Sequence, residues 1–209
     1  MYLSLNWVKN WLKLPSNIST KDLGLALTMS TVEVEGIEQQ AEQLKGIVVG
    51  QIVELAKHPQ ADLLQVCQVN IGKKTEQIVC GGINLRKGMQ VAVATVGSRV
   101  KWHGQGDWVA LTPVKIRGVE SRGMIVSVPE IGISNLFSQS SEKEILDLSD
   151  FMCKPGQDLS QVLELNDVII DIDNKSINHR PDLWGQYGLA RELAAIYKLK
   201  LTPYQNASI

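Results

Sequence analysis

The sequence predicts an α+β protein of two domains, with a small closed β-barrel or sandwich inserted into a discontinuous α/β domain. Three observations carry that expectation. The chain has 209 residues, more than one modest domain requires. Its middle, over about eighty residues, reads as short β-rich runs punctuated by glycine with no convincing helix. Its two flanks, each mixing helical and strand patterning, are too small to bury a core alone, so they are expected to pack on each other. The α/β domain takes residues 1–44 and 151–209, and the β domain takes 45–150.

The elements follow in chain order. Ser4 is placed to cap a helix whose apolar face carries Trp7, Val8, Trp11 and Leu12, with Pro15 as its stop. Ser19 caps a second helix, and Asp22 three residues on makes an imperfect capping box ahead of Leu23, Leu25, Ala26 and Leu27. Thr31 to Ile37 alternates apolar and polar, as a half-buried strand does. The β-rich runs are Ile47–Leu55, Leu64–Ile71, Gln77–Cys80, Gln90–Val96, Thr112–Arg117 and Met124–Val128, separated by HPQAD, GKK, GGINLRKG, HGQGD and RGVESRG. In the HPQAD turn the Asp62 side chain is expected to cap backbone amides. Ile145–Leu148 is a short apolar segment, Asp167–Asp173 a strand, and Asp182–Lys198 a helix opened by Pro181 with Leu183, Leu189, Leu193, Ile196 and Tyr197 on its apolar stripe. The closing LTPYQNASI reads as a linker, so the chain is expected to be part of a longer one.

Hydrophobic residues make up 44% and charged residues 21%, a globular balance that excludes a largely disordered chain. No apolar run reaches a membrane-spanning length, and MYLSLNWVKNW lacks the basic leader and cleavage site of a secretory signal. Three widely spaced cysteines fit reduced thiols, and the expected setting is the cytoplasm.

The net charge of −1 conceals polarity. Lys73, Lys74, Arg86, Lys87, Arg99, Lys101, Lys115, Arg117 and Arg122 face only Glu76, Asp107 and Glu120 in the same stretch, which is +6 against −7 for the remainder. In the run around Val114 and Ile116, burying those two would turn Lys115 and Arg117 outward together, where a phosphate backbone could release counterions onto them. A solvated face on an ordinary protein accounts for the same pattern. Trp102 and Trp108 flank the glycines of KWHGQGDW, where bases could stack, although closing the end of a barrel is the commoner use of such rings. No GxSxG, P-loop or zinc-spaced Cys/His set is present, so neither bond-making chemistry nor a metal site is expected.

Gly50, His58-Pro59-Gln60-Ala61-Asp62, Leu64 to Val69, Ile78 to Asn84, Arg117 to Met124, Ser127 and Glu130-Ile131-Gly132 together resemble the tRNA-binding domain of synthetase-associated proteins, over about residues 45–150. Gly82 stands where that family usually has Ala. The flanks SLNWVKNWL, LTMSTVEVEGIE and NHRPDLWGQYGLARELAAIY resemble the bacterial phenylalanyl-tRNA synthetase β-subunit family. The resemblance implies an oligonucleotide-binding (OB-fold) barrel and a role in charging tRNA with phenylalanine. It also implies a synthetase α subunit and further β-subunit domains as partners in a heterotetramer. By the same resemblance, ATP and magnesium are expected to serve the whole enzyme, with no cofactor and neither the aminoacylation nor the editing site in these residues. Carried over by position, it implies tRNA contact by Asn84, Arg117, Ser121, Met124, Ser127 and Glu130; Lys115 and Arg122 join them on electrostatic grounds. Hydrogen bonding at turns and strand ends accounts equally for Asn84, Ser121 and Glu130, and burial accounts for Met124. The alternative to tRNA binding is a structural module that packs against the rest of the synthetase.

Overall fold

A computed structural model describes residues 1–137, 141 and 143–204. The chain divides into two units, Met1–Gln40 with Asn166–Ile209, and Ala41–Leu165. Strand β1 (Tyr2–Ser4) leads into helix α1 (Leu5–Lys9), and the Ser4 hydroxyl accepts from the Trp7 N–H as its cap. The helix ends well before Pro15. Leu5, Val8 and Leu12 form its buried row, whereas Trp7, expected on that face, is 59% exposed. Helix α2 (Thr20–Ser30) opens on a complete capping box: the Asp22 N–H donates to Ser19 Oγ at 3.2 Å and the Ser19 N–H to the Asp22 carboxylate at 3.0 Å. The Ser19 hydroxyl, donating to the same carboxylate at 2.6 Å, and the Ser19 N–H together hold the Asp22 carboxyl below its ordinary range. Strand β2 (Val34–Gln39) starts later than the alternation indicated, because the Thr31 and Val32 N–H groups both close on the Leu27 carbonyl at the end of α2.

The second unit holds β3 (Ile47–His58), β4 (Ala61–Asn70), β5 (Thr75–Cys80), β6 (Gln90–Ala94), β7 (Arg99–Lys101), β8 (Trp108–Ala110), β9 (Val114–Ile116), β10 (Val119–Ser121) and β11 (Met124–Ile125). Five of them form one antiparallel sheet in the order β11-β6-β3-β4-β5; β7–β8 and β9–β10 are separate hairpins. Strand β3 serves both neighbours, pairing β6 through Ile47–Gln51 and β4 from Gln51 onward, with bulges that bend it. At its waist a Cβ on Gly50 would lie 2.6 Å from both Val69 and Val93, so only glycine admits that crossing.

All five strands contribute to one apolar cluster, with Ile52, Cys67, Val69, Ile78, Cys80, Val91, Val93 and Ile125 at its centre. The sheet therefore curls around it. Among the described residues no ladder joins β5 to β11 and closes the curl. The seam is bridged instead by single bonds: Arg122 N–H to the Gln77 carbonyl at 2.9 Å, Gln77 Nε2 to the Glu120 carbonyl at 2.8 Å, and Val79 N–H to Ser121 Oγ at 3.1 Å. The other side of β6, through Ala92 and Ala94, faces a second cluster. Helix α3 (Leu159–Val162) and the side chains of Phe151, Leu163 and Leu165 join that cluster, so residues 151–165 belong with the β-rich unit rather than with the flank to which the sequence assigned them.

Strand β12 (Val168–Ile172) returns to the first unit and lies between β1 and β2 in an antiparallel sheet. Helix α4 (Gln186–Ile196) is shorter than expected. Pro181–Leu183 forms a separate 3₁₀ turn that folds across the start of α4, where a Cβ on Gly188 would meet the Asp182 carbonyl at 2.0 Å. Leu3, Leu23, Leu27, Ile170, Ile172, Leu183, Leu189 and Leu193 fill the core between sheet and helices. The tail, read as a linker, begins in contact: Leu201 bridges Leu12, and the Thr202 N–H donates to the Trp11 carbonyl. Its last five positions, 205–209, lie outside the described residues. Among the described residues no helix is long and apolar enough to cross a membrane.

Candidate nucleic-acid interface

Lys115 and Arg117 lie on the β9–β10 hairpin, apart from the five-stranded sheet. Val114 and Ile116 are not the buried pair that strand parity implied: Val114 is 45% exposed and Ile116 only half-buried. No core turns these cations outward; the turn does. Ile116 pairs with Val119, which leaves Arg117 and Gly118 as a two-residue loop with φ of 44° and 87°. Positive φ at both positions is what a type I′ turn requires. Glycine adopts it freely, while for arginine it costs about 1 kcal/mol.

That strained arginine is tethered, its Nη1 donating to the Gln60 carbonyl at 3.0 Å. Beside it, His58 accepts the Gln60 N–H through Nδ1 at 3.1 Å, so the proton sits on Nε2, which faces the Ile116 carbonyl at 3.1 Å. His58, 5% exposed, thus takes the capping role expected of Asp62 and ties the β3–β4 turn to the hairpin. The HPQAD stretch is a turn, as its sequence indicates, but its cap is the His58 ring.

Lys115 is exposed and stands opposite Glu120 in the ladder. Glu120 also accepts from Arg122 Nε at 3.0 Å, a bond that raises the Arg122 guanidinium above its ordinary range. Of the nine cations, three are paired with carboxylates: Lys74 with Glu76, Arg86 with Asp147 at 2.6 Å, and Arg122 with Glu120. Among the described residues no ion pair engages Lys73, Lys87, Arg99, Lys101, Lys115 or Arg117. The polarity read from the sequence is thinned but not cancelled.

Five of the eight expected contact residues are buried or half-buried and engaged within the unit. The Asn84 amide donates to the Ile145 carbonyl and accepts the Ile145 N–H, both at 2.9 Å, as a strand neighbour would. Ser121 is buried at the seam, accepting from Val79 and donating to the Gly123 carbonyl at 3.1 Å. Ser127 and Glu130 are buried together, with both the N–H and the hydroxyl of Ser127 donating to Glu130 Oε2 at 2.8 Å. Met124 packs against the second cluster. Only Lys115, Arg117 and Arg122 present their polar groups to solvent, and these three share the β9–β10 hairpin and the residue that follows it.

The tryptophans divide in role. Lys101 Nζ lies 5.3 Å from the centre of the Trp108 ring, and the far edge of that ring closes on Gly132, where a Cβ would come within 3.2 Å. Trp102, in the adjoining turn, is 55% exposed, with the His103 ring edge-on at 5.9 Å. Among the described residues no three His, Cys, Asp or Glu side chains converge as a metal site would require.

Residues 47–157, more than half the chain, match the family described as "Putative tRNA binding domain". This chain belongs to the tRNA-binding domain family. It is 37% identical to the phenylalanine–tRNA ligase beta subunit of Oceanobacillus iheyensis over 198 residues, which is 94% of this chain and 23% of that subunit. It is 36% identical to the Staphylococcus aureus beta subunit over 210 residues, covering 100% of this chain and 25% of the relative. The chain therefore spans about a quarter of the length of the curated relatives it matches. Among solved structures, a MetRS-related protein of Pyrococcus horikoshii is similar over 53% of this chain and 85% of its own, with a TM-score of 0.36 and 17% identity. The matched range takes in β3 to β11, with the β9–β10 hairpin, Ser127 and Glu130 among its residues.

Proposed function

We propose that this chain is the tRNA-binding region of a cytoplasmic phenylalanine–tRNA ligase beta subunit, and that it grips tRNA by shape and phosphate while covalent chemistry proceeds elsewhere in a longer assembly. In this reading the curled five-stranded sheet is a barrel of OB type. The remaining beta-subunit domains and the alpha subunit, in a heterotetramer using ATP and magnesium, supply aminoacylation. Lys115 and Arg117 lead the contact, Arg122 adds charge shared with Glu120, and Asn84, Ser121, Met124, Ser127 and Glu130 act by shaping the unit. The observation that carries the proposal is a set of exposed cations that, among the described residues, lack carboxylate partners inside a matched tRNA-binding domain.

Titrating tRNA against the 209-residue chain at two salt concentrations tests it. With roughly four to six phosphates neutralised, log K falls with log salt at a slope of about −3 to −5. The double variant Lys115→Ala with Arg117→Asn should weaken binding to many tRNAs alike and make that slope shallower by about 1.5. Asn suits the first position of a type I′ turn, so the charge is removed without loss of fold. A salt-independent affinity, or no saturable binding at moderate salt, would refute the proposal and favour the structural module.

A further inference from the structure

We infer that Trp102 is a stacking platform for one unpaired RNA base, with Arg99 and Lys101 on the same hairpin receiving the flanking phosphates. The inference deepens the tRNA-binding reading and rests on it. Trp102 is 55% exposed, and an indole so exposed contributes little to the core of its unit. Yet its backbone is held firmly. The turn Trp102–Gly104 takes φ of 51° at His103 and 73° at Gly104, and it lies so close on Pro129 that a Cβ at Gly104 would meet the proline ring at 2.4 Å. A rigid mount beneath an exposed aromatic ring lowers the ordering cost of stacking. The His103 ring stands nearly perpendicular to the indole, so among the described residues no ring is stacked parallel on either indole face.

The charge beside the ring selects the occupant. Arg99 and Lys101, two residues apart on β7, share the face opposite the fully buried Val100. Lys101 leans over Trp108, and Arg99 is exposed, with no carboxylate paired to either among the described residues. An aromatic face with cations one and three residues before it in the chain matches a nucleotide, whose base stacks while its phosphates are neutralised. A paired base offers no free face within a helix, so the occupant is single-stranded: a loop, bulge or end. Trp108 is excluded from this role because its ring is already held between Lys101 and Gly132.

The test measures anisotropy of a labelled short unpaired oligoribonucleotide and of a long RNA duplex, each with the wild-type chain and with Trp102→Ala, Trp102→Phe and the Lys115→Ala/Arg117→Asn double variant. Trp102→Ala should weaken the unpaired strand about tenfold and the duplex less than about twofold, while Trp102→Phe keeps most of the affinity. The double variant should weaken both. Equal binding by wild type and Trp102→Ala overturns the stacking platform and leaves the tRNA-binding reading standing. Equal loss on both RNAs also overturns it, because a base platform cannot act on paired bases. If the wild-type chain binds neither these RNAs nor tRNA, the function proposed above falls, and this inference with it.

Discussion

Replacing Glu130 by Ala separates architecture from RNA contact. Glu130 is 8% exposed, and one of its oxygens accepts two bonds from Ser127, each 2.8 Å long. Truncation leaves a buried backbone N–H and a buried hydroxyl without their acceptor, and each orphan costs about 1–3 kcal/mol. The hydroxyl can rotate towards another acceptor, so its share falls at the low end. Releasing a carboxylate from burial returns part of the loss. The net expectation is about 2–3 kcal/mol, which for a chain of this size lowers the melting temperature by roughly 4–12 °C. Glu130→Gln keeps one acceptor oxygen and should cost about 1 kcal/mol. Because the two side chains act on each other, Ser127→Ala and Glu130→Ala should be strongly non-additive in a double-mutant cycle. The assays are urea unfolding followed by tryptophan fluorescence, and tRNA titration at a temperature where every variant is folded. Unchanged stability in Glu130→Ala together with a marked loss of tRNA affinity would refute the reasoning, since the carboxylate would then act on RNA and not on Ser127.

Two further outcomes follow from packing and burial. Gly82→Ala, the residue most relatives are expected to carry, should destabilise by about 1–3 kcal/mol, because its Cβ would fall 2.4 Å from Ile145 Cγ1; Ile145→Ala in the same chain should relieve most of that penalty in thermal melts, and additive losses would refute the clash. Burial, reinforced by Cys80, pushes the Cys67 thiol from 9.0 up to about 12, and burial pushes Cys80 up to about 11. The unfolded chain therefore loses these protons first, so stability is intact below pH 9 and declines from there as the pH rises towards 11 to 12, by up to about 1.4 kcal/mol per unit for each thiol. Urea midpoints measured on either side of that threshold should differ less in Cys67→Ala/Cys80→Ala than in the parent, and equal differences would refute the assignment.

What could be read from the sequence was what is decided within a few residues. The capping box at Ser19 and Asp22 is a local bond pair, and β3 to β6 fall on apolar, β-rich runs bounded by turn residues. Strands β7, β8 and β10 are three residues each and exist through pairing, which no short window displays. The same distinction runs through the candidate site. Asn84 meets Ile145 and Ser121 meets Val79 across 61 and 42 residues, so their polar side chains looked available when read singly. Ser127 and Glu130 were readable after all, since S-x-x-E is the spacing at which a carboxylate folds back onto the N–H of the serine three residues earlier. Arg122 and Glu120 likewise sit two residues apart. A polar residue in a family motif is thus ambiguous until the fold has claimed its hydrogen bonds, and whatever the fold leaves unclaimed is the better guide to a partner. By that criterion Lys115, Arg99 and Trp102 outrank the motif serines, because among the described residues neither burial nor an ion pair accounts for them.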